Sequence, residues 1–267
     1  MQDFRMTRAR RKAYHNMQDT HNHESYEIYY LLSGKRKFFI QDTIYYIEKG
    51  NFVLLKSGIV HKTSNISDES HERIDIYFTG EYFRELFPDD HQKLLTVFDN
   101  PYFMPPVGSN EYIEKLLNRI ETEYEVGDEM SEILIKGYLR ELIIFIFRGK
   151  NAEGAPSIIS GDSIIEKAAH YIIKNYNKNI TLEIVSEFVH LSAGHFSKKF
   201  KAETGIGFKE YLVKIRIQKA AELLYETDDS VTEIAFKCGF NDSNYFGDAF
   251  TRIMRISPSR YRKMKRM

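Results

Sequence analysis

Three histidines and one glutamate near the start of the chain have the types and spacing of metal ligands. His21, His23 and Glu27 are separated by even numbers of residues, so on a β-strand they would share one face. His61, from a later strand, would complete a set of nitrogen and oxygen ligands that suits zinc, iron, manganese or nickel. The same side chains could instead hydrogen-bond a small ligand or one another, and Glu27 could close a turn. The sequence leaves both interpretations open.

No pattern of covalent catalysis accompanies this set. The chain shows no Ser-His-Asp order and no glycine-rich phosphate loop. Its single cysteine, Cys238, excludes an intrachain disulfide and a site built from several thiolates. The longest apolar run, residues 142–147, is far too short to span a bilayer. These features predict a cytoplasmic protein that is not an enzyme and does not enter a membrane.

A second set of polar side chains lies near the C-terminus, on two short helices that each carry a pair of phenylalanines. Phe196 and Phe200 are four residues apart, as are Phe246 and Phe250. This spacing predicts one buried stripe on each helix and an exposed opposite face. Because an apolar short helix and a tight turn precede each pair, the sequence predicts two helix-turn-helix units, which place a helix in the major groove of DNA. The predicted phenylalanine helices span about residues 193–204 and 243–254, and a helix of about residues 208–225 joins the units.

Side chains on the outward faces of these helices could contact DNA. In the second unit the outward set is Ser243, Asn244, Gly247 and Asp248. Asn244 could pair bidentately with adenine, and Asp248 could accept a hydrogen bond from N4 of cytosine. In the first unit, Lys198 could donate to guanine or contact phosphate. The predicted phosphate contacts are Lys199, Lys201, Lys209, Arg216, Arg252, Arg260, Arg262 and Lys263.

The charge distribution agrees with a DNA-binding C-terminal half. The formal net charge of the whole chain is zero. Residues 1–156 hold 20 Lys+Arg and 25 Asp+Glu, whereas residues 157–267 hold 18 and 13. The second half therefore carries a net charge of +5, and a basic surface is what the release of counterions from DNA requires.

The N-terminal half is predicted to be rich in β-strands. Apolar runs at residues 26–32, 37–40, 43–47, 52–55 and 74–78 are separated by brief turns. Closely spaced strands of this kind predict an antiparallel barrel or jelly roll. A barrel this small either fills its interior with side chains or holds one small ligand. Phe38, Tyr45 and Tyr77 could therefore line a pocket or belong to a core, and His71 is assigned to the surface.

The remaining segments set the predicted boundaries. Residues 1–20 contain a basic cluster without periodicity and are predicted to be a flexible arm. Helices of about residues 110–124 and 130–148 follow the barrel, and their apolar stripes could cover the barrel or form a dimer interface. Glycine, proline and serine at residues 149–161 predict an interdomain linker. Asp162 is the predicted N-cap of the next helix.

Several short runs in the two units match a known pattern. In the first unit they are Leu191-Ser192, Phe196-Ser197, Phe200-Lys201, Thr204-Gly205, Tyr211-Leu212 and Arg216. In the second unit they are Ile234-Ala235, Gly239-Phe240, Tyr245-Phe246, Phe250, Ser257-Pro258 and Tyr261-Arg262. Together, over roughly residues 164–263, they resemble the DNA-binding domain of AraC/XylS-type transcription regulators. One position departs: the family usually has glycine where this chain has Arg255, which would cost about 1 kcal/mol in a left-handed conformation.

The barrel residues carry a second resemblance. The runs His21-x-His23-x₃-Glu27-x₆-Gly34 and Gly50…Gly58-x₂-His61-x₃-Asn65 are similar to the two motifs of cupin barrels. The resemblance implies an effector-binding domain in which a divalent metal is optional, since many regulators with this pattern bind none. The implied effector pocket consists of His21, His23, Glu27, Phe38, Tyr45, His61 and Tyr77.

The two resemblances together imply a function. Matching the first unit to the family assigns base contacts to Gly194, His195, Ser197 and Lys198. The implied protein is a homodimeric regulator, more often an activator that engages RNA polymerase, that binds double-stranded DNA in response to a small molecule such as a sugar. The alternative is a metal-dependent cupin enzyme with an attached DNA-binding domain.

The predicted fold is α+β with two domains. A cupin-like antiparallel barrel followed by helices occupies residues 21–148. An all-α domain with two helix-turn-helix units joined by a long helix occupies residues 162–267.

Overall fold

The computed structural model describes residues 3–11, 25–66, 69–151 and 163–266. The N-terminal part contains most of the β-structure, in eight strands. They are β1 (Phe4–Arg11), β2 (Tyr26–Ser33), β3 (Lys35–Ile40), β4 (Thr43–Glu48), β5 (Phe52–Leu55), β6 (His61–Asn65), β7 (His71–Phe78) and β8 (Tyr102–Phe103).

The helices cover one side of this domain and then build the whole C-terminal part. The first four are α1 (Gly80–Leu86), α2 (His91–Leu95), α3 (Asn110–Val126) and α4 (Ser131–Lys150), with a 3₁₀ turn at Thr96–Phe98. The rest are α5 (Ile164–Lys174), α6 (Leu182–Phe188), α7 (Ala193–Thr204), α8 (Phe208–Glu226), α9 (Val231–Lys237), α10 (Ser243–Met254) and α11 (Pro258–Arg266). None of the described helices is long and apolar enough to cross a membrane.

The strands form two antiparallel sheets whose inner faces meet. The larger sheet has the order β1-β7-β2-β5-β8 and the smaller has the order β4-β3-β6. Alternate residues of each strand point inward, so Tyr29 and Val53 of the larger sheet share one core with Phe38 and Ile47 of the smaller. The outer face of the larger sheet is covered by α1, α3 and α4, which bury Ile28 and the stripe of α3. The predicted antiparallel barrel with flanking helices is confirmed.

The predicted flexible arm was wrong for residues 4–11. These residues form β1, which pairs with β7 along its whole length. Phe4 and Met6 are buried in the core beneath the helices. Arg5 lies over the ring of Tyr77, at 4.4 Å from the centroid. Because the partners of this basic strand are 60 or more residues away, local periodicity could not reveal it. Residues 12–20 of the predicted arm lie outside the described residues.

Three smaller predictions differ from the structure. His71 is 2% exposed, not on the surface, because β7 begins at this residue and turns it inward. The N-cap of α5 is Ser163, which forms a capping box with Glu166, whereas Asp162 lies outside the described residues. α4 continues to Lys150, past the predicted end at residue 148, and the Nζ of Lys150 donates to the carbonyl of Val97 at 2.7 Å. The rest of the predicted linker, residues 152–161, lies outside the described residues.

The C-terminal domain has two cores that correspond to the two units. One contains Phe196 and Phe200 of α7 together with residues of α5, α6 and α8. The other contains Phe246 and Phe250 of α10 with residues of α8 and α9. α8 contributes to both cores, so the helix that joins the units also holds them at a set distance and angle.

Candidate nucleic-acid interface

The first unit consists of α6, a four-residue turn and α7. The side chain of Thr181 caps α6 by accepting from the amide of Ile184, and Ser192 caps α7 by accepting from the amide of His195. His190 makes the turn with a φ of 55°, in the left-handed region. Phe196 is fully buried, so the opposite face of α7 points outward.

The second unit repeats this arrangement in α9 and α10. Ser230 and Glu233 form a capping box at the start of α9. Gly239 makes the turn with a φ of 84°. The carboxylate of Asp242 accepts from the amide of Asn244 at 2.7 Å and so caps α10. Phe246 and Phe250 are fully buried, and their rings lie 5.7 Å apart.

The residues that end α7 and α10 occupy equivalent positions but differ in type. Gly205 ends α7 with a φ of 87°, and Arg255 ends α10 with a φ of 59°. The left-handed conformation expected at Arg255 is confirmed. A residue with a Cβ is strained there by about 1 kcal/mol or more. Arg255 therefore destabilises the second unit by this amount, whereas Gly205 in the first unit is unstrained.

The predicted base-reading residues lie on the outward faces. Gly194, His195, Lys198, Asn244 and Asp248 are exposed. Three more lie beside them and are half-buried: Ser197, Ser243 and Gly247. A Cβ added at Gly194 or Gly247 would meet nothing within 4 Å. The backbone at both glycines is therefore open to close approach by another molecule, and the space that a side chain would occupy is empty.

The predicted phosphate contacts fall into two groups. Six are exposed on the C-terminal domain: Lys199, Lys201, Lys209, Arg252, Arg260 and Lys263. Arg216 instead donates to the carbonyls of Tyr176 and Lys178 at 2.7 and 2.9 Å, and Arg262 donates to the carbonyls of Leu224 and Asp229 at 3.2 and 2.5 Å. Arg216 therefore fastens the loop after α5 to α8, and Arg262 fastens α11 to the end of α8 and to the loop that follows it. Both guanidinium groups have a structural role, and their phosphate contacts stay predictions. Their carbonyl partners are more than 30 residues away in sequence, which is why sequence patterns could not identify them.

The barrel interior brings together the described members of the predicted effector pocket. The hydroxyl of Tyr77 donates to the carboxylate of Glu27 at 3.3 Å. The Nε2 of His61 lies 3.8 Å from the other oxygen of that carboxylate. Phe38 and Tyr45 belong to the inner core. His21 and His23 lie outside the described residues.

Sequence analysis missed several charged members of this interior. Arg36 and Asp75 are each 2% exposed. Asp75 accepts from Nε of Arg73 at 2.8 Å and from the hydroxyl of Thr7 at 3.3 Å. Burial, followed by repulsion from Glu27, raises the pKa of Asp75 to about 6. The odd-numbered residues of β7 all point inward. If the predicted strand had begun at His71, its alternation would have placed Asp75 inside the barrel.

The predicted metal site is represented by only two of its four ligands. Glu27 and His61 are close enough to share an ion, but the remaining two are the histidines outside the described residues. Within residues 3–11, 25–66, 69–151 and 163–266, no group of three or more His, Cys, Asp or Glu side chains could hold a metal ion. Metal binding therefore stays a prediction.

Comparisons with known proteins agree with this architecture. A family described as "AraC-like ligand binding domain" matches residues 6–143, and one described as "Helix-turn-helix domain" matches residues 185–264. The transcriptional activator RhaR of Mannheimia succiniciproducens is 24% identical over 246 residues, which cover 91% of this chain and 86% of the relative. RhaR of an Enterobacter species is 23% identical over 250 residues, with coverages of 92% and 87%.

Similar solved structures come from the same comparisons. ToxT from Vibrio cholerae is 18% identical, covers 99% of this chain and 98% of its own, and has a TM-score of 0.40. The C-terminal domain of AraT from Geobacillus stearothermophilus is 40% identical over 39% of this chain and 86% of its own, with a TM-score of 0.37.

Proposed function

This chain belongs to the AraC-type family of transcription regulators, and we propose that it activates transcription by binding promoter DNA through α7 and α10, with a small effector in its barrel changing how the two helices are presented to DNA. The observation that carries the DNA-binding part is the pair of matched helices. Each is anchored by a buried phenylalanine pair and presents an open, polar face. A relative named as a transcriptional activator, similar over 91% of this chain, supports activation.

The side chains on the two faces suit different contacts with DNA. Lys198 offers a point-charge donor for O6 and N7 of guanine, and Asn244 offers a donor and an acceptor for adenine. Gly194 and Gly247 let the helix backbones approach the groove without a side chain in between. Asp248 is an acceptor for cytosine and also repels phosphate, so α10 contributes less affinity than α7.

Replacing Lys198 or Asn244 with alanine is expected to weaken specific DNA binding. Each loss of a base contact costs about 1–3 kcal/mol, or roughly 5- to 150-fold in affinity. Lys199→Ala is expected to weaken binding to all sequences and to lower the salt slope by about 1. Fluorescence anisotropy at two salt concentrations, with DNA from upstream of the protein's own and neighbouring genes, measures both quantities.

Lys115→Ala is the matched control for these variants. Lys115 lies on α3, pairs with Glu111 at 2.8 Å, and has a 68% exposed side chain. The Lys115→Ala substitution removes the same positive charge from the N-terminal domain and should leave the affinity for DNA unchanged. If Lys198→Ala and Lys115→Ala behave alike, α7 does not read bases. If the wild-type protein selects no sequence in this DNA, the proposed function fails.

The barrel interior is proposed as the effector site because it combines a buried carboxylate, a buried imidazole and phenols. The Glu27 carboxylate lies within hydrogen-bonding distance of Tyr77 and ion-pairing distance of His61. Such mixed donors and acceptors beside aromatic rings suit a small polyhydroxylated molecule such as a sugar. An activator of this type would engage RNA polymerase at the promoter.

A homodimer through α4 is the proposed assembly. The predicted stripe of α3 is buried against the barrel, so that stripe covers its own domain. On α4, however, Ile133, Gly137 and Ile144 share one face at helical spacing and are exposed, Ile133 by 65%. Arg140 lies on the same face, and its guanidinium is turned to the carbonyl of Leu86. An exposed apolar stripe of this kind is suited to an isologous helix pair.

Aspartate at both Ile133 and Ile144 is expected to weaken the dimer by at least about 30-fold, because charges would be desolvated at the centre of the interface. Sedimentation equilibrium measures the dissociation constant. Val107→Asp, which places the same charge at an exposed apolar residue of a loop, is the control. A double variant that dimerises as tightly as the control would exclude this face.

A further inference from the structure

The outer face of the smaller sheet is packed against the DNA-binding domain. Phe39, Ile44 and Val60 point away from the barrel interior and are buried in the same core as Phe200 and Tyr211. The rings of Phe39 and Tyr211 lie 6.2 Å apart. Since this core also holds the buried side of α7, the barrel and the first helix-turn-helix unit share one hydrophobic core.

Polar contacts attach α8 to two turns of the barrel. The hydroxyl of Tyr211 donates to the carbonyl of Gln41, in the turn between β3 and β4. The side-chain amide of Gln218 donates to the carbonyl of Gly58 at 2.6 Å, in the loop between β5 and β6. Gln41 has a φ of 55°, a conformation that costs a non-glycine residue free energy and therefore needs support from its surroundings. α8 is thus held at two places along its length.

The loop that Gln218 contacts leads directly into the barrel interior. The Nδ1 of His61 lies 3.0 Å from the carbonyl oxygen of Ile59. Because a carbonyl only accepts, this contact requires a proton on Nδ1, and it leaves Nε2 directed at Glu27. Val60, between the two, is buried in the shared core. Residues 58–61 therefore link the proposed effector site to α8 within four residues.

This loop also has room to move. It borders a cleft of about 800 Å³ between the two domains. A Cβ at Gly58 would meet nothing within 4 Å. A displacement of His61 by a bound molecule would therefore be passed along the loop to Gly58, whose carbonyl Gln218 contacts.

The packing of the barrel against the C-terminal domain, which we call the docked form, leaves the DNA-reading faces of α7 and α10 open. Lys37 pairs with Glu203 at 2.7 Å, and Lys62 donates to the carbonyl of Ala202 at 2.6 Å, so the barrel contacts the C-terminal end of α7. Recognition helices meet the groove through their N-terminal residues, and Lys198 stays exposed. A cation at the C-terminus of a helix is also favourable. The docked form is therefore compatible with DNA binding.

We propose that residues 58–61 and the β3–β4 turn form a latch through which the barrel sets the position of α8, with Gln218 and Tyr211 as the positioning residues. The inference rests on the proposed function, since it explains how occupancy of the barrel reaches the DNA-reading helices. α8 contributes to both cores of the C-terminal domain, so a shift of α8 changes the placement of α7 relative to α10. The latched form is the form that binds DNA.

Hydrogen exchange of the full-length protein with and without its bound DNA tests the latch. If the conformation of the barrel changes the free energy of DNA binding, then DNA binding changes the conformational free energy of the barrel by the same amount. Saturating specific DNA should slow exchange in residues 56–66 by about threefold or more, although these residues lie outside the DNA-reading faces. Residues 4–11, which form β1, are the internal control, and their exchange rates should not change. A DNA duplex of scrambled sequence controls for the effect of adding a polyanion.

A double-mutant cycle tests the same route. His61→Asn is expected to weaken specific DNA binding about 3- to 10-fold in the wild-type background and less than about twofold beside Gln218→Ala. Tyr211→Phe, which removes one hydroxyl, should also weaken binding about threefold. Lys219→Ala, whose side chain pairs with Glu222 on α8 itself, is the control and should leave the effect of His61→Asn intact.

The outcomes separate the latch from the proposed function. If the wild-type protein binds no specific DNA, the proposed function fails. If it binds DNA but exchange in residues 56–66 is unchanged or faster, or if His61→Asn and Gln218→Ala are additive, the latch is overturned and DNA binding stands. The exchange experiment uses the wild-type chain, so it decides the matter even if His61→Asn does not fold.

Discussion

Gly239→Ala is expected to destabilise the second helix-turn-helix unit by about 3 kcal/mol. Gly239 has a φ of +84°, where a residue with a Cβ pays about 1–2 kcal/mol. The added Cβ would also lie 2.8 Å from the carbonyl oxygen and 2.9 Å from the Cα of Asn177. These are backbone atoms that cannot turn aside, so overpacking adds about 1–3 kcal/mol. Urea unfolding followed by circular dichroism measures the loss.

Gly247→Ala is the matched control for this substitution. Gly247 lies within α10, and a Cβ there would meet nothing within 4 Å. Alanine should therefore stabilise the helix by about 0.5–1 kcal/mol. The same variant should still weaken DNA binding if the backbone of α10 approaches the groove closely. Equal stability changes in the two glycine variants would show that the turn at Gly239 is not what restrains the unit.

The contribution of Asp75 to protein stability is expected to fall as the pH rises from about 4 to about 6. Burial, and then repulsion from Glu27, raises the pKa of its carboxyl from 3.8 to about 6. Between these values the unfolded chain has lost the proton that the folded chain retains, so deprotonation favours unfolding. A difference of two pKa units corresponds to about 3 kcal/mol, present below pH 4 and lost above pH 6. Urea unfolding at intervals between pH 4 and pH 7.5 measures the slope.

Asp75→Asn identifies the group responsible for this slope. Asparagine keeps an oxygen to accept from Arg73 but cannot ionise, so this part of the pH dependence should disappear. Above pH 6 the variant should not be destabilised by the loss of the charge, because the raised pKa of Asp75 means that its ionised form is disfavoured in the folded protein even with the Arg73 guanidinium at 2.8 Å. Asp90→Asn, at an exposed carboxyl just before α2, is the control. An unchanged slope in Asp75→Asn would assign the effect to another group.

The helices that carry the candidate DNA contacts could be predicted closely. The observed bounds of α7 and α10, 193–204 and 243–254, are those expected from the phenylalanine pairs. Their determinants are local: apolar residues four apart and a capping side chain, Ser192 or Asp242, just before the first turn. The strand β5 at Phe52–Leu55 was likewise predicted from one apolar run between turns.

The elements that sequence analysis missed depend on distant partners. β1 is held by its pairing with β7 along its whole length and by Phe4, which enters a core made mostly by later segments. Arg8 adds ion pairs with Glu72 and Glu121 at 2.7 and 3.1 Å. In the sequence, Arg216 cannot be distinguished from an exposed cation. The structure shows that its guanidinium donates hydrogen bonds to two backbone carbonyls. Charge and spacing in the chain do not specify which of several distant acceptors a flexible side chain will meet.

Local patterns in the chain were enough to predict the two-domain plan, the paired recognition helices and the outward residues on them, because helical periodicity and capping act over a few residues. Three features became visible in the folded chain alone: the barrel and the first unit share a core, Tyr211 and Gln218 bridge them, and Asp75 lies buried beside Glu27. These features arise from packing between segments up to about 170 residues apart, and the free energy of such packing depends on three-dimensional shape, which no local pattern encodes.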